Sequence, residues 1–248
     1  MGKQRTDEWV NFDDHQLSYH TKQWKEQKES TISFYDFVKQ KMHESSCVID
    51  LGAGAGAATS FIAANEPKVS FVAADYVSDY LEIGRKLAES NRIDNLTFRQ
   101  VDWFSLSETS EYDGVISLQT LSWLPELRMP LEKVLTKIKP NWFAMTSLFY
   151  DGDISCTVEV CEHTNSRKSF YNIYSLKEVS RIANEFGYQI SKCEKFEISI
   201  NLPKPANPDL MGTYTKNVCD DKGVGERMQI SGPILMPWYM VLIEKLEN

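Results

Sequence analysis

The stretch Val48-Ile-Asp-Leu-Gly-Ala-Gly-Ala-Gly-Ala-Ala-Thr-Ser-Phe-Ile-Ala63 runs from an apolar segment, through three alternating glycines, into an alanine-rich segment. The apolar segment predicts a buried strand, and the alanine-rich segment predicts a helix. Because glycine has no Cβ and tolerates positive φ, a glycine turn between a strand and a helix lets the backbone approach a ligand closely. The stretch therefore predicts a ligand-binding turn.

Around this turn, from Ser46 onward, short apolar runs alternate with amphipathic ones, which predicts βαβ units and a mostly parallel sheet. The predicted strands cover residues 47–51, 69–75, 96–102, 114–118, 142–149, 188–200 and 234–244, and the predicted helices cover 57–65, 77–90 and 130–139. A further helix is predicted after Ser175, with Glu178 completing a capping box and Gly187 at the C-terminal cap. The predicted fold class is α/β.

The whole chain, residues 1–248, is predicted to form a single domain with three parts. Residues 1–44 are polar with scattered aromatic residues and predict a helical cap, residues 45–150 form a ligand-binding core, and residues 151–248 form a substrate-side half. An insert at residues 201–231 is rich in Pro, Gly and Asn and is too long for a simple hairpin loop. We expect this insert to contribute to substrate specificity.

Composition excludes several classes of function. The net charge of −8 provides no broad basic surface for a phosphate backbone, so we expect no nucleic-acid partner. The cysteines are odd in number and form no CxxC pair, which predicts reduced thiols, a cytoplasmic protein and no metal site. No apolar run reaches the roughly 18 residues of a spanning helix, so we expect no membrane partner. The sequence favours neither a monomer nor a dimer.

Two ligands compete for the glycine turn. The pattern Gly52-x-Gly54-x-x-Ala57, with Asp75 eighteen residues beyond Ala57, satisfies the dinucleotide fingerprint and predicts NAD. However, Asp50 stands two residues before the first glycine, where an acid suits a cationic ligand better than a pyrophosphate. In addition, about 50 residues precede the turn, whereas a dinucleotide domain often begins almost at its first strand.

A second acid, Asp102, ends the third predicted strand and is followed by Trp103. This pair could accept a hydrogen bond from an adenine amino group and cover the face of the ring. Together with Asp50, it favours a cationic adenosine-containing cofactor over NAD.

Four motifs in succession resemble the cofactor motifs of the class I S-adenosylmethionine-dependent methyltransferases: Asp50-Leu-Gly-Ala-Gly-Ala-Gly56, Asp75 after Val-Ser-Phe-Val-Ala-Ala, Val101-Asp-Trp103 and Tyr112-Asp-Gly-Val-Ile-Ser-Leu118. The resemblance covers roughly residues 46–149. It implies a Rossmann-like, seven-stranded sheet whose last strand is antiparallel, and S-adenosylmethionine as the cofactor.

The resemblance also implies the roles of individual residues. Asp75 would hold both ribose hydroxyls, the glycine turn would face the methionine and ribose, and Asp102 would meet the adenine. The cofactor-binding candidates are Trp24, Asp50, Gly52, Ala53, Gly54, Asp75, Tyr76, Asp102, Trp103, Leu118 and Gln119.

The acceptor side is predicted less sharply. The candidates with a direct role in catalysis are His163, Arg227, as a clamp for an anionic group, and Tyr171, in a stretch where related enzymes carry lids. His20, His163 and Asp151 are the candidate general bases. After the fourth strand the sequence Ser-Leu-Gln-Thr-Leu-Ser-Trp-Leu replaces the Asn/Asp-Pro-Pro-Tyr/Phe motif of the family's amino-methylating DNA enzymes.

The sequence therefore predicts methyl transfer to oxygen or nitrogen of a small metabolite, with carboxylate-, phosphate- or sugar-linked compounds as candidate acceptors. Two alternatives stay open: an NAD(P)-dependent oxidoreductase, and a methyltransferase-like binding module without catalytic turnover.

Overall fold

The computed structural model describes residues 6–10, 14–109, 111–162, 167–203, 213–231 and 238–246. The helices are α1 (Asp14–Gln23), α2 (Glu29–His43), α3 (Ala57–Asn65), α4 (Ser78–Asn91), α5 (Arg128–Lys133) and α6 (Leu176–Glu185). The strands are β1 (Cys47–Leu51), β2 (Ser70–Asp75), β3 (Leu96–Gln100), β4 (Gly114–Leu118), β5 (Trp142–Tyr150), β6 (Glu159–Glu162), β7 (Arg167–Phe170), β8 (Tyr174–Ser175), β9 (Tyr188–Phe196), β10 (Thr213–Cys219), β11 (Gly225–Ser231) and β12 (Trp238–Lys245).

The central sheet has the strand order β3-β2-β1-β4-β5-β12-β9. Strands β1 to β5 are parallel, whereas β12 runs antiparallel to both β5 and β9. The predicted α/β sheet with an antiparallel last strand is confirmed. The two-residue strand β8 adds to it by pairing in parallel with the last residues of β5, which extends beyond its other partners.

Apolar residues cover both faces of the sheet, as expected for parallel strands. Helix α2 carries Phe34, Phe37, Val38 and Met42 on one stripe, and these residues pack with Val48 in the cluster on one face. Helices α3 and α4 contribute to the same face, whereas α5 and α6 pack against the other. The sheet is thus enclosed, and the candidate cofactor-binding residues of the core lie at the ends of its strands and in the turns that follow them.

Several element boundaries differ from the predicted ones for local reasons. Strand β3 ends at Gln100 because the Asp102 carboxylate accepts a hydrogen bond from Phe104 N and begins a 3-10 turn, Trp103–Ser105. The helix predicted over 130–139 begins at Arg128 and continues beyond α5 as a π-helical turn, Val134–Ile138.

The predicted capping box of α6 is modified. Ser175 Oγ accepts from Lys177 N at 3.2 Å, as a capping serine should. However, Glu178 reaches the backbone N–H of Ser175 only through Ser155, whose hydroxyl donates to Glu178 and accepts from Ser175 N. Gly187 follows the helix with a φ of +79°, as expected of a glycine C-terminal cap.

Residues 151–248 contain structure that the sequence pattern did not predict. Strands β10 and β11 form an antiparallel hairpin within the insert, and β6 and β7 form a second hairpin between β5 and α6. No helix within the described ranges is both long and apolar enough to cross a membrane.

Candidate functional site

The glycine turn after β1 has a backbone that only glycine adopts easily. Gly52, Gly54 and Gly56 all have positive φ, at +78°, +57° and +74°. A Cβ on Gly52 would lie 2.4 Å from Thr120 Cγ2, and a Cβ on Gly54 would lie 2.5 Å from His20 Cε1. The turn is therefore closed in by side chains from two other parts of the chain, and no side chain of its own fits there.

Asp75, the last residue of β2, is bonded to this turn. Its Oδ2 accepts a hydrogen bond from Gly54 N at 2.7 Å, and its Oδ1 accepts from Val77 N at 2.9 Å. Burial raises the pKa of Asp75, while the hydrogen bonds from these backbone N–H groups oppose that shift. Tyr76 N–H contributes a third backbone hydrogen bond, so of its roughly four lone-pair sites the carboxylate keeps about one for a further donor.

Asp50 is the most deeply buried acid near the turn, with an exposed fraction of 1%. Its Oδ2 accepts a hydrogen bond from Thr59 Oγ1 at 2.6 Å, whereas Oδ1 has no hydrogen-bond partner among the described residues. Burial raises the pKa of Asp50 to about 7, and nearby Asp75 adds to the shift. A buried carboxylate with an unused oxygen fits a cationic neighbour, which would restore the charged form.

Asp102 and Trp103 have different surroundings. Asp102 is partly buried, and its Oδ1 accepts from Phe104 N at 2.9 Å and from Thr6 Oγ1 at 3.0 Å. Trp103 is 6% exposed and belongs to the core cluster, where its ring packs 6.4 Å from that of Phe143. Because the 3-10 turn directs this indole inward, its faces pack against core residues and are not presented to a ligand.

Side chains of the cap donate hydrogen bonds to main-chain carbonyl oxygens at the glycine turn. Trp24 Nε1 donates to the carbonyl of Ala55 at 3.0 Å, and Gln27 Nε2 donates to the carbonyl of Ala57 at 3.3 Å. Both donors lie between α1 and α2, so these bonds hold the middle of the cap against the turn and the first residue of α3.

His20 of α1 lies against Gly54 and stacks obliquely on Tyr80 of α4, with ring centroids 4.3 Å apart. Burial, together with the nearby ammonium of Lys28, lowers the pKa of His20 to about 4. The imidazole is therefore neutral at pH 7, and a cationic ligand at the turn would not be repelled by it.

The turn after β4 lies beside the glycine turn and is bonded both to it and to the cap. Gln119 has a φ of +59°, and its Nε2 donates to Ser30 Oγ of α2 at 3.1 Å. The preceding residue, Leu118, is partly buried and packs against the core. Thr120 Oγ1 donates to the carbonyl of Gly52 at 3.2 Å, which joins this turn to the glycine turn.

The predicted acceptor residues are dispersed. Tyr171 is 4% exposed and packs edge-on against Trp123, which is 44% exposed, at 5.1 Å between ring centroids. Asp151 is exposed just past β5 and accepts a hydrogen bond from Tyr239. His163 lies outside the described residues.

Arg227 lies on β11, where it joins the hairpin to the segment after β9. Its Nη2 donates to the carbonyls of Ile198 and Ile200 at 2.7 and 2.6 Å, and its Nε donates to Asn201 Oδ1 at 3.2 Å. Three of the five guanidinium N–H donors are therefore used within the chain.

Three residues of this site were not predicted from the sequence: Thr6, Thr59 and Thr120. Thr120 could have been inferred, because β1 and β4 are neighbouring parallel strands whose following turns must meet. Thr59 lies in the first turns of the helix after the glycine turn, but nothing in the pattern pairs it with Asp50. Thr6 precedes its partner by 96 residues and carries no sequence signal.

Comparison with known proteins identifies the family. Residues 42–199 match a family model described as a methyltransferase domain. A release factor glutamine methyltransferase from Aliivibrio fischeri is 35% identical over 71 residues, which are 28% of this chain and 25% of that protein. The chain spans 25% and 41% of the lengths of two curated relatives that it matches.

Two solved structures share the fold. The PH0226 protein from Pyrococcus horikoshii OT3 superimposes with a TM-score of 0.56 at 14% identity, covering 95% of this chain and 100% of that chain. The DhpI–SAH complex superimposes with a TM-score of 0.52 at 14% identity, covering 94% and 96% of the two chains. Since the family model matches more than half of the chain, this protein belongs to the methyltransferase domain family, within the class I S-adenosylmethionine-dependent methyltransferases.

Proposed function

We propose that this chain transfers the methyl group of S-adenosylmethionine to an oxygen or nitrogen atom of a small-molecule acceptor. The observation that carries the proposal is the pair of acids at the glycine turn. Asp75 is bonded to the turn and Asp50 is buried beneath it with one unused oxygen. Asp75 suits either cofactor, because both contain a ribose, but a pyrophosphate would place negative charge beside Asp50, whereas a sulfonium ligand places positive charge there.

The residues at the turn fit this cofactor. Gly52 and Gly54 carry no side chain, so their main chain can approach a ligand closely from the sides that Thr120 and His20 do not fill. In the proposed roles, Asp75 accepts from the ribose hydroxyls with its remaining acceptor capacity, and Asp102 accepts from the adenine amino group. Asp50 supplies negative charge to the positively charged end of the cofactor. The remaining predicted contacts, from Trp24, Ala53, Tyr76, Leu118 and Gln119, are proposed to line the same ligand.

Trp103 is assigned a supporting role in this proposal. Its ring packs in the core behind Asp102, so it fixes the turn that carries the carboxylate rather than stacking on adenine.

When bound, S-adenosylmethionine supplies a methyl group that is already activated by its sulfonium. The chain therefore needs chiefly to position the acceptor and to exclude water. The cap contributes to exclusion because Trp24 and Gln27 hold it over the turn. If the acceptor is a hydroxyl, a base is also required; His20 is neutral at pH 7 but only weakly basic, and His163 remains a candidate.

A small acceptor is supported by the charge of the chain and by the cap. The net charge of −8 does not favour a polyanionic acceptor. Helices α1 and α2 lie over one side of the site, and Tyr171 and Trp123 form an aromatic pair where a small planar or apolar group could pack. The relative from Aliivibrio fischeri is named for glutamine methylation of a release factor, so a protein acceptor is included in the test below.

The cofactor assignment is tested by calorimetry with S-adenosylhomocysteine and NADH. We expect micromolar binding of S-adenosylhomocysteine and none of NADH. Asp75→Ala should weaken binding at least about tenfold, because a carboxylate that accepts from hydroxyls contributes roughly 1 to 3 kcal/mol. Asp79→Ala, which changes an exposed acid at the start of α4, is the matched control and should bind normally. Binding of NADH instead would overturn the proposal.

The acceptor class is tested by incubating the protein with methyl-labelled S-adenosylmethionine and a cell extract separated by size. Label in the low-molecular-weight fraction supports the proposal, whereas label confined to protein would replace it with a protein acceptor. Cofactor binding without label in either fraction would favour a binding module.

A further inference from the structure

The N-terminal 3-10 turn, Thr6–Glu8, is bonded to two residues assigned to the adenosine end of the cofactor. Thr6, with an exposed fraction of 7%, donates from Oγ1 to Asp102 Oδ1 at 3.0 Å. Tyr76 donates its hydroxyl proton to Asp7 Oδ1. The turn thus makes one side-chain bond to each of two residues that follow neighbouring strands, β2 and β3.

An aromatic contact fixes this turn in place. Trp9 packs edge-on against Phe104, with ring centroids 5.5 Å apart, and against Phe170 of β7 at 6.2 Å. Phe104 also donates its backbone N–H to Asp102. The segment that carries Thr6 is therefore held against the same short turn as the carboxylate that Thr6 contacts.

The two oxygens of Asp102 have unequal hydrogen bonding. Oδ1 accepts from both Phe104 N and Thr6 Oγ1, at 2.9 and 3.0 Å, which uses both of its lone pairs. Among the described residues, Oδ2 accepts only a long bond, 3.3 Å, from the hydroxyl of exposed Ser105. Thr6 thus fixes the rotation of the carboxylate and leaves Oδ2 as the oxygen that can accept from a ligand.

We infer that Thr6 is a positioning residue for adenine recognition, because it orients Asp102 so that Oδ2 faces the exocyclic amino group of the bound cofactor. This inference rests on the proposed cofactor and on the role of Asp102 within it. A carboxylate held in this way accepts from the amino group of adenine but repels the carbonyl oxygen of hypoxanthine. Thr6 therefore contributes to selectivity for the base as well as to affinity.

Asp7 and Tyr76 support the same function. The hydrogen bond to Asp7, aided by partial burial, raises the pKa of Tyr76 to about 12. The phenol thus stays neutral and keeps donating to Asp7, which holds its ring beside the ribose-binding residue Asp75.

The test compares two ligands, S-adenosylhomocysteine and its 6-oxo analogue S-inosylhomocysteine, by calorimetry on the full chain. Selectivity for the amino group is measured as the dissociation constant of S-inosylhomocysteine divided by that of S-adenosylhomocysteine. Thr6→Val should reduce this ratio about fivefold to tenfold, less than the loss of a direct hydrogen bond to a charged group, because the carboxylate itself remains. Thr6→Ser retains the hydroxyl and should stay within about twofold of the parent protein. Thr136→Val is the matched control, because it removes a threonine hydroxyl on the π-helical turn that donates to the Glu132 carbonyl.

The outcomes separate this inference from the proposed function. If Asp102→Asn abolishes the selectivity but Thr6→Val does not change it, the inference is overturned and the role of Asp102 stands. If Asp102→Asn leaves the selectivity unchanged, the adenine-reading role fails and the inference fails with it. Tighter binding of S-adenosylhomocysteine to Thr6→Val would show that Thr6 competes with adenine. A folded Thr6→Val protein, verified by its circular dichroism, is required in each arm.

Discussion

At position 54 the chain needs a residue without a side chain for two independent reasons. The φ of +57° disfavours any L side chain, and a Cβ would lie 2.5 Å from the His20 ring. Gly187 meets only the first condition, because its φ is +79° but nothing lies within 4 Å of its Cβ position. A comparison of substitutions at the two glycines therefore distinguishes the effect of backbone strain from the effect of a steric clash.

We predict that Gly54→Ala and Gly187→Ala both lower the free energy of unfolding by about 1 to 3 kcal/mol, the usual strain of a non-glycine residue with positive φ. Only Gly54→Ala should also weaken binding of S-adenosylhomocysteine, by at least about tenfold, because His20 and the turn must move apart. Urea denaturation and calorimetry on both variants measure the two effects. Equal ligand affinity in the two variants would contradict the role assigned to the turn.

The relative positions of residues were predictable where they depend on the adjacency of strands. Asp50, Gly52 and Asp75 come together because β1 and β2 are neighbours and their following turns meet. The inward rotation of Trp103 was not predictable, since it depends on the 3-10 turn that the Asp102 carboxylate begins. The hydrogen bonds from Arg227 to backbone carbonyls could not be predicted either, because they require the hairpin to fold back on residues 198–201.

At the scale of the elements, two indole hydrogen bonds of equal length end at different places. Trp24, which follows α1, and Trp142 of β5 each donate one such bond of 3.0 Å. The first ends on the glycine turn, at the Ala55 carbonyl, whereas the second ends on Ser45 Oγ, just after α2. A change of Trp to Phe removes a donor at either place and retains an aromatic ring.

We predict that Trp24→Phe weakens binding of S-adenosylhomocysteine about threefold to tenfold, because the cap loses about 1 kcal/mol of attachment to the turn. Trp142→Phe should lower stability without changing that affinity. Hydrogen exchange in residues 14–27 should increase only in Trp24→Phe. A normal affinity for Trp24→Phe would show that the cap and the cofactor bind independently.

The elements were predicted best where a strand or helix is regular. Strands β1 and β4 and helix α3 have the predicted ends, since their apolar residues are bounded by glycine or by the turn itself. The two hairpins were missed because their strands are largely polar and partly exposed. Such strands lack the alternation of apolar residues on which the prediction depends.

For the molecule as a whole, two buried groups give stability opposite dependences on pH. The pKa of Asp50 is raised from 3.8 to about 7, so the folded protein binds a proton more tightly than the unfolded chain, and this stabilisation is lost as the pH rises towards 7. The pKa of His20 is lowered from 6.5 to about 4, so its contribution is lost as the pH falls from 6.5 towards 4. Between these values the two effects partly cancel.

Replacing Asp50 reveals its own contribution to the pH dependence of stability. We predict that the difference in unfolding free energy between Asp50→Asn and the parent protein grows by about 2 to 3 kcal/mol in favour of the variant between pH 5 and pH 8. Urea denaturation at the two pH values, without cofactor, measures this difference. Asp79→Asn, at an exposed position, should follow the parent protein at both. Parallel profiles for Asp50→Asn would contradict the raised pKa.

The cap contacts the glycine turn at carbonyl oxygens, namely those of Ala55 and Ala57. Every amino acid provides a main-chain carbonyl, so these attachments do not depend on which side chains occupy the two positions. These two attachments therefore place no demand on the side chains at positions 55 and 57, in contrast to Gly54, which must stay a glycine next to His20. Conversely, a cap of different sequence would fit the same core only if it retained the indole and amide donors at positions 24 and 27 and the apolar stripe of α2.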